Sequence, residues 1–200
     1  MSDNQLVGLA EDFFQNSLDS SPTSAIMRGH KKYFDQIEEL TEDQFQKEKE
    51  TVDNFIQRLN AIEKDNLTSR EQVTHGMLEF ALSSNQDSLL DRSWEFGAGV
   101  SGFTGFLIDY NQQMFVPDSE AADMMLKRLE LYKRLYTQIA QVQKEGLNNN
   151  RVATERNLLR TIDQLENYLA SSLDQDPLLL VNFSPEISDS EISEWKDKAK

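Results

Sequence analysis

Apolar residues recur along this chain at spacings of three and four, and the rhythm predicts a succession of amphipathic helices. Leu6, Leu9, Phe13 and Leu18 mark the first, over Asn4–Leu18. Ser20, Ser21 and Pro22 stop it, and Pro22 suits the first turn of a short helix with Ala25, Ile26 and Met27 that ends near Gly29. Thr41 and Gln44 spell a capping box ahead of Phe45, Val52, Phe55, Ile56, Leu59 and Ile62. A second box at Thr68–Glu71 opens a helix whose stripe is Val73, Met77, Leu78, Ala81 and Leu82.

From Ser83 to Asn111 the periodicity breaks, and the pattern predicts a loop with a helical turn around Phe103, Phe106, Leu107 and Ile108. Asp118 then caps a long helix with Met125, Leu129, Tyr132, Tyr136, Ile139 and Val142 on one face, and Gly146 reads as its left-handed stop. After the polar turn Asn148–Asn150 a further helix places Leu158, Leu159, Ile162, Leu165 and Leu169 inward, and the two are expected to pack as an antiparallel pair. Pro177 begins the apolar extended piece PLLLVNFSP. A third box, Ser188–Glu191, opens a helix with Ile192 and Trp195 that carries no stop signal. That helix either frays at a true terminus or is cut from a longer parent. Alternating β-branched residues hardly occur, so the fold class is all-α: one antiparallel helical domain over residues 1–200, of about six to eight helices, with one glycine-rich loop.

That loop holds the most specific short motif. In WEFGAGVSGFTGF, Gly97, Gly99 and Gly102 spell G-x-G-x-x-G, and four of the eight glycines lie between Trp94 and Phe106. A dinucleotide loop needs a strand before it and βαβ partners around it. The preceding LLDRSWEF is too charged for a buried strand, and no partners follow. Two readings remain: a loop that lets Trp94, Phe96, Phe103 and Phe106 dock closely, or one that lines a ligand cleft with Trp94, Phe96, Gly97, Gly99, Gly102, Phe103, Gly105, Tyr110 and Gln112.

Charge and composition narrow the chemistry. The net charge of −15 repels a phosphate backbone, so no nucleic-acid partner is expected. With no cysteine, thiolate catalysis and Cys-ligated zinc are excluded. The two histidines are His30 and His75; Glu71 and His75 share a helix face, but a metal site needs three or more ligands, and neither H-E-x-x-H nor a paired E-x-x-H is present. There is no G-x-S-x-G elbow. No apolar run reaches the length of a membrane span, and no export signal is visible at the N-terminus.

Three segments taken in order, SSPTSAIMRGHKKYFDQIEELTEDQF, FGAGVSGFTGFLIDYNQQMF with its following K-R-L helix, and DPLLLVNFSPEISDSEISEW, resemble the N-terminal helical part of bacterial proteins of the domain of unknown function 885 family. The resemblance implies a mostly helical protein, longer than this chain and often exported, that looks like a zinc-dependent peptidase with its His-Glu…His signature in the C-terminal half. No such signature occurs here, so no metal ligand, catalytic residue or cofactor site carries over to this chain; zinc belongs to the parent. The expected role is the support or substrate-side portion of a metallopeptidase-like protein, inactive alone. Its partner would be the C-terminal remainder, or another protein, with a peptide as the parent's substrate. The alternative is a stand-alone helical interaction module.

Overall fold

The computed structural model describes residues 2–97 and 110–200. Its helices are α1 (Ser2–Asp19), α2 (Pro22–Met27), α3 (Glu42–Asn60), α4 (Ser69–Asp91), α5 (Ser119–Asn148), α6 (Glu155–Ala170) and α7 (Asp189–Ala199). Two strands of two residues each, β1 (Phe115–Val116) and β2 (Asn182–Phe183), pair in parallel, with Val116 opposite Phe183. Among the described residues the fold is all-α apart from this pair. It falls into two compact units, residues 1–20 with 40–93, and residues 21–39 with 94–200.

In the first unit, α1, α3 and α4 pack on one another around Leu6, Leu9, Val52, Phe55, Leu59, Leu78 and Leu82. Phe13 meets Phe55 edge-on at 5.7 Å. Each leucine buried in this way stabilises the unit by roughly 1.5–3 kcal/mol before the ordering entropy is subtracted. The caps follow the sequence closely. Thr68 and Glu71 form a complete box at the start of α4. The box at α3 is half formed: Thr41 accepts from the Gln44 amide, but the Gln44 side chain donates to Glu48 at 3.3 Å instead of reaching back.

Helix α4 corrects the expected break at Ser83. It continues to Asp91, because residues 77–96 contain polar side chains but no glycine or proline to stop it. It ends where Arg92 takes a left-handed conformation, φ 50°. Its inward face is also different. His75, Leu78 and Leu82 are buried, while Val73 and Met77 point to solvent with Phe80. The helix is apolar on two faces, so periodicity alone could not choose between them.

In the second unit the start of α5 is held by Asp118, which accepts from the Ala121 amide at 2.9 Å and pairs with Lys31 at 2.8 Å. Lys31 and the cap amide hold the Asp118 carboxyl below its ordinary range. The close helical neighbour of α5 is α7, not α6. Trp195 of α7 is buried and donates its indole N–H to the Ala122 carbonyl at 2.8 Å. The α7 box, Ser188 with Glu191, is complete.

Two expectations for this unit fail for physical reasons. Gly146 is not the left-handed stop of α5, since the helix runs through it to Asn148 and the left-handed residue is Asn150, φ 56°. The apolar stripe of α6 is turned mostly outward: Leu158, Leu159, Ile162 and Leu169 are exposed, Leu165 is half-buried, and Thr161 is the buried residue. On this helix Tyr168 is also half-buried, and it donates to Asp176 at 2.9 Å.

Candidate functional site

The flanks of the glycine-rich segment are both anchored in the second unit. On the incoming side, Glu95 is buried in the turn Ser93–Phe96, and Arg151 donates to its carboxylate. On the outgoing side, Asn111 is fully buried; its amide donates to the Leu178 carbonyl at 2.8 Å, and its oxygen accepts from the Tyr132 hydroxyl at 3.3 Å. Among the cleft candidates, Trp94 and Gly97 are half-buried, Phe96 is exposed, Tyr110 is half-buried and Gln112 is exposed. The Gln112 carbonyl accepts from Asn182 at 2.8 Å, beside the β1–β2 pair. Gly99, Gly102, Phe103 and Gly105 lie outside the described residues.

Asn111 opens onto a group of phenols that sequence reasoning did not single out as a site. The rings of Tyr132 and Tyr136 lie 6.2 Å apart on α5. Tyr168 donates to Asp176 Oδ1, which also accepts from the Leu178 amide at 2.9 Å. Burial pushes the phenols of Tyr132, Tyr136 and Tyr168 above their ordinary value, reinforced by Asp176 at Tyr136 and Tyr168. The Tyr136 hydroxyl and the Gln164 carbonyl oxygen are buried with no hydrogen-bond partner among the described residues. The phenols therefore offer neutral hydrogen-bond donors and acceptors beside the Asp176 carboxylate, suited to holding polar groups rather than to nucleophilic attack.

A second buried polar cluster lies around Arg128, which is fully buried on α5. It donates to the Gln36 carbonyl and, at 2.5 Å, to the Thr23 hydroxyl. Thr23 in turn donates to Glu38 from its amide at 2.9 Å and from its hydroxyl at 2.7 Å. The Glu38 carboxylate sits 4.0 Å from the guanidinium. This is a packed ion pair that ties residues 21–39 to α5. Its sequence signal was present: Arg128 stands three residues after Met125 and four before Tyr132, on the apolar stripe. A charge there requires buried partners.

The zinc that the family resemblance brings to the parent does not fit the residues here. Glu71, the one carboxylate singled out beside His75, turns back onto the Thr68 amide and hydroxyl, both at 2.6 Å. His75 is buried, and its Nδ1 lies 4.0 Å from Glu79, whose carboxylate is held by Lys64 at 2.9 Å. Among the described residues no three His, Cys, Asp or Glu side chains gather to hold an ion. Nor, among them, is any helix long and apolar enough to cross a membrane.

A family described as "Bacterial protein of unknown function (DUF885)" matches residues 22–200. No curated protein and no solved structure matches significantly.

Proposed function

We propose, from the premise that this chain belongs to the DUF885 family of bacterial proteins, that it is the helical support and substrate-side portion of a metallopeptidase-like protein and carries no metal chemistry of its own. The observation that carries the reading is the outward stripe of α6. Leu158, Leu159, Ile162 and Leu169 form an exposed apolar helix face with no cover among the described residues. A helix so strongly amphipathic calls for an apolar surface against that face. In the reading offered here, the metal-bearing portion of the same protein supplies that surface. The anchored flanks of the glycine segment and the phenol group at Asn111 supply polar groups on the substrate side.

The test is a metal and activity measurement on the purified chain. After incubation with zinc and gel filtration it should retain no stoichiometric ion, its Tm should not move with added zinc, and no peptide should be cleaved. A zinc-dependent, chelator-reversible rise in Tm that is lost in His75→Ala, or peptide turnover with one ion per chain, would overturn the reading. The exposed Val73, Met77 and Phe80 on α4 favour a second reading, a stand-alone interaction module. It predicts a specific protein partner captured through α4 rather than α6.

A further inference from the structure

The groove between α5 and α7 holds a pocket of about 190 Å³ whose floor and rim differ sharply in character. Phe183 and Trp195 stand edge-to-face in its floor, with centroids 5.2 Å apart. The indole is fixed by its bond to the Ala122 carbonyl, and Leu126 continues the apolar wall. The lining also carries the exposed carboxylates Asp123 and Glu194, together with Glu191, which accepts from Ser119 and Ser188. The volume is below the roughly 300–1,000 Å³ of pockets that take drug-sized ligands, and it suits one long side chain.

One feature of the rim shows what chemistry it favours. Lys198 of α7, itself a lining residue, places its ammonium on Glu194 at 2.8 Å. Glu194, and more weakly Asp123, raise the Lys198 pKa. A lysine head group is therefore already held there by the Glu194 carboxylate, with Asp123 among the lining residues.

We infer that this pocket binds the side chain of a lysine or arginine presented by a basic peptide. Its aliphatic stem lies along Leu126, Phe183 and Trp195, and its charged head meets Asp123 and Glu194. Long basic side chains bury their stems on apolar surface while keeping the head at polar groups, and a cation beside an indole gains further attraction. The chain's net charge of −15 steers a basic peptide toward it. The resident Lys198 competes for the same carboxylates. This inference is independent of the metallopeptidase reading, since the pocket and its rim belong to this chain alone.

The experiment is a fluorescence-anisotropy titration of the full chain with a labelled Gly-Lys-Gly peptide at low ionic strength. A norleucine peptide of the same length keeps the stem and removes the charge. The lysine peptide should bind saturably, the norleucine peptide about tenfold more weakly. Asp123→Asn and Glu194→Gln, both at exposed positions, should each weaken the lysine peptide several-fold, and Lys198→Met should tighten it. Equal binding of the two peptides, absence of binding by the lysine peptide, or an affinity indifferent to Asp123→Asn and Lys198→Met would overturn the inference.

Discussion

Gly146 and Glu95 touch backbone to backbone: a Cβ built on Gly146 would lie 2.5 Å from the Glu95 carbonyl oxygen and 2.6 Å from that of Arg151. The glycine is required by this close approach. It lets α5 run under the turn that leads into the glycine-rich segment, where Arg151 holds the buried Glu95 carboxylate. Gly146→Ala should destabilise the chain by about 1–3 kcal/mol, because both obstructing atoms are main-chain and cannot swing away. Alanine's helix-propensity advantage of roughly 1 kcal/mol works in the opposite direction and is the smaller effect. Thermal and urea denaturation measure the difference; an unchanged or raised Tm would show that the approach is looser than this.

Arg128→Ala should cost about 3–5 kcal/mol, since it leaves the buried Glu38 carboxylate without its guanidinium. Arg128→Met combined with Glu38→Gln should recover a large part of that loss, because no charge is then left unpaired. A double-mutant cycle by denaturant unfolding reads the coupling directly. Additive single effects would mean that the two side chains do not interact.

The phenols separate in their expected behaviour. Tyr136→Phe removes a buried hydroxyl that has no partner among the described residues, so stability should hold or rise by up to about 1 kcal/mol. Tyr168→Phe takes the donor from Asp176 and should destabilise α6. The folded chain holds the Tyr136 phenol well above its ordinary value of 10.0, so the unfolded chain gives up that proton first as pH rises. This contribution to stability is constant below about pH 10 and declines above it, as phenolate forms in the unfolded state. Spectrophotometric titration of the phenolates, compared between wild type and Tyr136→Phe, checks the assignment; loss of one phenol's worth of the late-titrating signal is the expected result, the raised Tyr132 and Tyr168 keeping the rest.

The outward stripe of α6 makes a prediction opposite to that of an inward one. Leu159→Gln and Ile162→Gln should change the stability of this chain by no more than about 0.5 kcal/mol, and binding of an apolar fluorescent dye should fall. Leu82→Ala in the core of the first unit should cost about 2–5 kcal/mol. If the α6 substitutions were as damaging as Leu82→Ala, the helix would be packed on its leucine face after all.

The legible and illegible parts of this protein divide by range. Thr68, Asp118 and Ser188 each begin a helix where local hydrogen-bonding chemistry says one should start, because a cap needs only its own first turn. The inward stripe of α3 was equally readable, with Phe45, Val52, Phe55 and Leu59 all buried. The face of α6 was not: Thr161 is its buried residue, and Tyr168 bonds Asp176 outside the helix, a contact that no local pattern announces. Asn111 left no sequence signal at all; it is fixed by a backbone carbonyl 67 residues away, and any residue type could have supplied that acceptor. At the candidate site the aromatic and glycine positions drew attention, while the side chains that anchor its flanks, Glu95 and Asn111, read as ordinary polar residues.

The division into two units has an optical corollary. Both tryptophans and all five tyrosines fall within residues 21–39 and 94–200, leaving phenylalanine as the only benzenoid side chain in residues 1–20 and 40–93. Intrinsic fluorescence and near-ultraviolet dichroism therefore watch one unit melt and are almost blind to the other, whereas far-ultraviolet dichroism sees the helices of both. Superimposable curves from the two kinds of light would mark a single cooperative transition, and curves that part company would reveal which unit lets go first.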